Sequence, residues 1–170
     1  MKLIFLIFLF LIPNISISSE KINFLDLNPI LNKSKAGQNI IAQLNNRNKI
    51  LINSFKKKEN LFKENEKKLI SQKNILDQVE FDKKLKLLQN EIIAYNQKKS
   101  FQVKELNKKK TAARLKLITE TNLILVDFAK ENNISIILKK ESILLGHSSI
   151  DITNKILKII DTKKLKINIE

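Results

Sequence analysis

No glycine or proline interrupts the chain between Gly37 and Gly146. These residues are the strongest breakers of helical order, so nothing from Gln38 to Leu145 forbids a helix. Within that stretch apolar residues recur at alternating spacings of three and four: Ile41, Leu44, Leu51, Phe55, Phe62, Leu69, Leu76 and Val79. A second series runs Phe81, Leu85, Leu88, Ile92, Tyr95, Leu106 and Ala113. Both are heptad-like seams, and both carry polar defects, among them Asn48, Lys58, Asn65 and Gln72 in the first and Lys99, Gln102 and Lys109 in the second. Such diluted seams predict weakly packed, flexible arms.

A single helix from Gln38 to Lys130 would exceed about 90 residues, far beyond the usual length. The break falls at Leu76-Asp77-Gln78-Val79-Glu80-Phe81. Asp77 is placed to accept from first-turn N–H groups, and Glu80 to reach back as the second half of a capping box. Leu76 and Phe81 can close as a hydrophobic staple around it. With Ser71-Gln72-Lys73-Asn74 as the turn, the stretch folds back as an antiparallel helical hairpin. Its first arm, Gln38 to Asn74, reaches about 55 Å at 1.5 Å per residue.

The flanks follow other rules. Lys21 to Leu27 reads as a short strand ended by Asn28-Pro29. The second arm stops at Glu131-Asn132-Asn133, where Asn can adopt the left-handed cap conformation. Ile134 to Leu138 and Ser142 to Leu145 read as two strands joined by Lys139-Lys140-Glu141. A last helix then runs to about Ile160, capped by Asp151 or Thr153. The expected fold class is α+β: a small β-containing head with a long inserted antiparallel helical hairpin. The head comprises residues 19–37 and 120–170, with the arm at 38–119. Its expected core and oligomerisation residues are Ile22, Phe24, Ile134, Ile136, Leu138, Ile143, Leu145 and Ile152.

Charge sets the arm apart. Of a formal charge of +15, the window Asn45–Ile118 holds 20 basic against 8 acidic side chains, while the rest of the exported chain holds 11 against 9. A basic arm on a nearly neutral head suits an anionic partner. The abundance of Lys over Arg has the look of codon bias, which does not explain why the surplus sits in one window. Ahead of the head, Met1-Lys2, the apolar run Leu3–Ile12 and the small residues Ser16 and Ser18 fit a Sec-type signal peptide over residues 1–18, cleaved after Ser18 or Ser19. Ten apolar residues span about 15 Å as a helix, half a bilayer core, so a membrane anchor is the weaker reading. The chain lacks Cys, which removes thiol catalysis, disulfides and thiolate zinc sites. A lone His147 leaves little room for metal cages or Ser-His-Asp chemistry. Two glycines in all cannot build a phosphate-cradling loop. No enzyme, metal or cofactor is expected, and His147 and Tyr95 read as a loop and a seam residue.

Phe24-Leu25-Asp26-Leu27, Ser34-Lys35-Ala36-Gly37 opening the first arm, Ile136-Ile137-Leu138 after the second and Ile150-Asp151-Ile152-Thr153 near the end occur in an order that resembles the Skp/OmpH periplasmic chaperones. The resemblance runs from about Lys21 to Ile160, with Gln38 and Asn133 departing from the Lys and Gly common there. It implies a periplasmic homotrimer whose heads share a β body and whose arms enclose unfolded outer-membrane proteins without ATP. A head of about 70 residues is near the size where one core is marginal, which independently favours oligomerisation. The expected client-binding residues are Lys56, Lys57, Lys58, Lys108, Lys109 and Lys110 for capture, and Phe55, Phe62, Leu85 and Leu88 for apolar contact. Anionic lipid or lipopolysaccharide is a further candidate partner. An exported structural coiled coil is the alternative function. Nucleic-acid binding is disfavoured by the signal peptide and the scarcity of Arg and of interleaved aromatics.

Overall fold

The computed structural model describes residues 20–169, so the signal-peptide segment lies outside the described residues. Strand β1 (Lys21–Leu25) leads into helix α1 (Leu27–Lys33), then the two long arms α2 (Lys35–Ser71) and α3 (Gln78–Asn132). Strand β2 (Ile134–Lys139) follows, and helix α4 (Thr153–Lys163) comes after two single 3-10 turns, Lys140–Ser142 and Ser148–Ile150. β1 and β2 pair in parallel, with Ile22 opposite Ile136 and Phe24 opposite Leu138. Parallel neighbours need a long crossover. Here the crossover is the whole hairpin, so the arm projects from between two adjacent strands. The other edge of β1 is covered by the approach to α4: Ile152 donates from its backbone to the Phe24 carbonyl at 3.0 Å, and the Asn23 side chain donates to the Ile150 carbonyl at 3.1 Å.

The hairpin ends carry local chemistry. Asp77 accepts from the Glu80 backbone at 2.8 Å. Glu80 does not reach back to complete a box; its carboxylate instead pairs with Lys84, one turn on, at 3.0 Å. Asn133 closes α3 at φ 51°, ψ 48°. Asp151 accepts from the Thr153 backbone at 2.8 Å, and the Thr153 hydroxyl accepts from the Asp26 backbone at 2.9 Å. Against the sequence expectation, the N-cap position of α4 is Ile152 and carries no side-chain cap; Asp151 closes a short turn onto Thr153, the first helical residue, whose hydroxyl ties the start of α4 to the end of β1.

Three further features differ from the sequence expectation. Asn28-Pro29 does not merely end a strand. Asp26 caps the Asn28 backbone at 2.9 Å and Pro29 sits in the first turn of α1, where its missing N–H costs nothing. The run Ser142–Leu145 forms no strand, and Leu144 and Leu145 are fully exposed. β1 is already flanked on both edges and the run does not pair with the outer edge of β2, so Leu145 is not core and Ile143 is only half-buried. In β2 the inward position belongs to Ile137, which packs on the head core. The side-chain period of two then turns Ile136 and Leu138 outward, as it does Ile22 on β1, with Ile134 half-buried. Phe24 and Ile152 are buried.

Two clusters form the interior. In the head, Leu25, Ile30, Ile124, Ile152, Ile156 and Ile160 pack together. The last three recur every four residues, which lays one apolar stripe of α4 across α1 and α3. At the arm base, Leu31, Ala36, Ile40, Ala113 and Leu117 join Ile167 and Ile169 from the segment after α4. Gly37 makes that junction possible. A Cβ there would lie 2.3 Å from the Leu31 carbonyl oxygen, so only glycine lets α2 start this close to the end of α1.

Candidate functional site

The arms are the part of the molecule without an obvious structural purpose of their own, and their middle is built around one tyrosine. Phe55, Phe62 and Leu69 are the buried residues of α2 beyond its base, one heptad apart. Tyr95 of α3 meets both phenylalanines edge-on, at centroid separations of 6.4 Å and 5.3 Å. Its hydroxyl donates to the Phe55 carbonyl at 3.2 Å and lies 3.4 Å from the Glu59 carboxylate. Lys99 donates to the same carboxylate at 2.6 Å and lies over the Phe55 ring, while Lys58 lies over Phe62. The Lys99 hydrogen bond holds the Glu59 carboxyl below its ordinary value and, reciprocally, Lys99 above its own. Burial, followed by the nearby Glu59 charge, raises the Tyr95 hydroxyl. A clasp of ring contacts and one bridged carboxylate thus closes the seam halfway along the arm.

The expected contact residues divide on this geometry. Phe55 and Phe62 are buried against α3 rather than offered to solvent, because a heptad seam turns its largest rings to the partner helix. Leu85 and Leu88 are half-buried in the same seam. Lys56, Lys57 and Lys58 are exposed at the level of Tyr95, as are Lys108 and Lys110 nearer the head, with Lys109 half-buried. The two triplets do not converge: about 13 residues of α3 put them roughly 20 Å apart along the axis. They form a basic sleeve, not a pocket.

What faces solvent instead is a set of apolar residues that seam counting misses or, for Val79, wrongly places in the first seam. Ile50, Ile52, Leu61 and Ile70 on α2, Ile75 in the turn, and Val79, Leu87, Ile93 and Phe101 on α3 are each at least half exposed. A helical-wheel reading of α3 would have found its share, since they lie off the seam. On the head, Ile22, Ile136, Leu138, Leu144 and Leu145 are exposed, and Leu138 also borders a groove lined by Leu125, Val126, Ile134 and Ile137. His147 is exposed too. Its Nδ1 accepts from the Ser149 backbone at 3.2 Å, so it caps a 3-10 turn. Among the described residues, no helix is long and apolar enough to cross a membrane.

The family model described as outer membrane protein (OmpH-like) matches residues 21–160. The chain belongs to the OmpH-like family. The matched span of this OmpH-like chain runs from β1 into α4 and stops before the segment that carries Ile167 and Ile169. Among solved structures, the chain is similar to an OmpH-like protein of Caulobacter crescentus CB15, described as a candidate outer membrane chaperone. The TM-score is 0.82 at 16% identity, covering 89% of each chain. At that identity the likeness establishes a common fold. No curated protein matches the sequence at a significant level.

Proposed function

We propose that this OmpH-like protein is an ATP-independent holdase of the periplasm that keeps unfolded outer-membrane proteins soluble before insertion. The observation that carries the reading is the row of large apolar side chains held in water along a lysine-rich arm. Exposed apolar surface of this kind is costly in a monomeric protein and marks an interaction surface. Its dispersal along the hairpin, rather than concentration in a pocket, suits weak contacts to clients of no fixed shape.

The working form is a homotrimer. Ile22, Ile136 and Leu138 on the outward sheet face, with Leu144 and Leu145 beside them, supply the head surface for neighbouring copies. The OmpH-like family and the description of the Caulobacter crescentus structure support the chaperone reading. Light scattering tests it. A urea-unfolded outer-membrane β-barrel diluted into the purified protein should stay clear at a stoichiometric ratio of trimer. If aggregation proceeds unchanged while the protein is elongated and oligomeric, the chain is a structural coiled coil of the envelope.

A further inference from the structure

After α4 the chain changes direction at Lys164, whose φ of 50° lies in the left-handed region that a lysine rarely adopts. Residues 165–169 then cross from the head to the arm base without joining a helix or strand. Their burial alternates. Ile167 and Ile169 are buried, Lys166 and Asn168 are exposed, and Leu165 is half-buried against both interior clusters. A period of two belongs to an extended chain with one face in and one face out. The inward face joins Ala36 and Ile40 of α2 and Ala113 and Leu117 of α3 in one cluster, so a single strap spans the bases of both arms.

The polar contacts to this strap read its backbone. The Gln43 carboxamide donates to the Ile167 carbonyl and accepts from the Ile169 N–H, both at 3.0 Å. A residue of a parallel sheet bonds its neighbour in the same way, to one carbonyl and to the N–H two positions on. Gln43 thus stands in for one residue of a strand partner. Arg47, one turn further along α2, donates to the Ile169 carbonyl. The arm base is therefore a cleft with a backbone reader beside an apolar floor that takes side chains two residues apart. The arm roots have ties of their own. The Lys35 N–H donates to Asp161 of α4 at 2.7 Å, and α3 runs unbroken into the head as far as Asn132. Without the strap the arm keeps its helices and loses a brace, and the turn at Lys164 is free to leave its strained conformation. A short segment held this way opens more readily than the helices beneath it. We infer that residues 165–169 are a releasable latch seated in a strand-reading cleft at the arm base, and that its release lets the hairpin tilt on the head. At an arm length of about 55 Å, a tilt of about 10° moves the tip by about 10 Å. The inference stands apart from the holdase reading, since it concerns the mechanics of the arm whatever the arm holds.

The test uses the full chain and a chain truncated after Lys164. In the full chain the Ile169 amide should exchange at least about tenfold faster than the amides of Ala113–Leu117, because a latch opens without unfolding the arm. The probe is the fluorescein-labelled peptide Lys-Leu-Lys-Ile-Asn-Ile-Glu, the sequence of residues 164–170. It should bind the truncated chain saturably and the full chain at least about tenfold more weakly, since the latch competes from within the same molecule. Gln43→Met in the truncated chain should weaken the peptide about tenfold. Arm tilt is read by spin labels at Lys73→Cys and Lys155→Cys in a chain with no other cysteine, labelled chains being diluted in unlabelled ones. The tip-to-head distance distribution should broaden on truncation and narrow again with peptide. Equal exchange at Ile169 and Leu117, absence of peptide binding, equal binding by the Gln43→Met chain or an unchanged distance distribution overturns the proposal. So does a loss of helicity on truncation, which would make the segment a fixed part of the core. If the latch behaves as expected while an unfolded barrel protein still aggregates, only the holdase reading fails.

Discussion

Single residues at the two ends of the hairpin set where the arms begin and turn. Asp77 satisfies one of the orphan N–H groups of α3, and Asp77→Ala should cost about 0.5–2 kcal/mol locally. Hydrogen exchange near Glu80 should accelerate while the head remains protected; unchanged exchange there would mean the cap is energetically silent. Gly37 offers a sharper contest of effects. Helix propensity alone makes Gly→Ala favourable by about 1 kcal/mol. The 2.3 Å approach to the Leu31 carbonyl opposes it, and backbone cannot step aside as a side chain would. Gly37→Ala should therefore destabilise, by about 1–3 kcal/mol in urea unfolding, and a stabilised variant would refute the close approach. Asp77 and Asn133 were legible in the sequence because a cap is a contact between near neighbours. The role of Gly37 was not, since it depends on how α1 returns onto α2.

The arm has a stiff point and a tether. The stiff point is the Tyr95 clasp. Glu59, with its pKa lowered by Lys99, contributes stability that is present above its unfolded value and lost as pH falls through the lower folded one. Lys99, raised, contributes below its unfolded value and loses that contribution as pH rises through the higher folded one. The Glu59–Lys99 pair thus supports the clasp at neutral pH and stops doing so at acid and strongly alkaline pH. Both side chains are about 40% exposed, so the effect is modest and salt-sensitive. Tyr95 is the sole tyrosine in a chain without tryptophan, so its emission reports this point directly. Emission should rise as pH falls below the ordinary carboxylate range, and Glu59→Gln should abolish that titration. An identical curve in the variant would remove Glu59 from the clasp. The tether is the segment after α4. The Gln43 side chain donates to the Ile167 carbonyl and accepts from the Ile169 backbone, both at 3.0 Å, and Arg47 donates to the Ile169 carbonyl. Ile167 and Ile169 are buried at the arm base, each worth about 1.5–3 kcal/mol. Truncation after Lys164 should speed exchange at Gln43–Arg47 and Ala113–Leu117 and spare β1 and β2. Unaltered protection at those positions would show that the segment does not hold the arm.

For the whole molecule, a basic arm on a nearly neutral head separates encounter from holding. Long-range attraction from the arm is screened over about 8–10 Å at physiological ionic strength, so client association should slow with salt more than final affinity falls. Replacing Lys56, Lys57, Lys58, Lys108, Lys109 and Lys110 with Gln should mimic high salt in stopped-flow association with an acidic unfolded barrel protein. Equal rates at 20 mM salt, at 500 mM salt and in the variant would reduce the lysines to codon bias on a solvated helix. Phe55 and Phe62 should not be the residues that persist at high salt, since the clasp occupies them; the exposed apolar residues of α3 should be.

The uninterrupted helical stretch, a turn beginning within Ser71–Asn74, the left-handed stop at Asn133 and the placement of charge on the arm all followed from the sequence alone. Each rests on spacings of one helical turn or on composition, which neighbours in the chain are enough to express. Other decisions needed the assembled fold. The sequence shows Ile134, Ile136, Ile137 and Leu138 as one apolar run, and only pairing with β1 and packing against α4 turned Ile137 inward and Ile136 and Leu138 out. Likewise Ser142–Leu145 has the local makings of a strand and pairs with neither β1 nor β2. Phe55 and Leu87 are equally apolar, yet one is clasped and the other exposed, because burial belongs to the opposing helix and not to the residue.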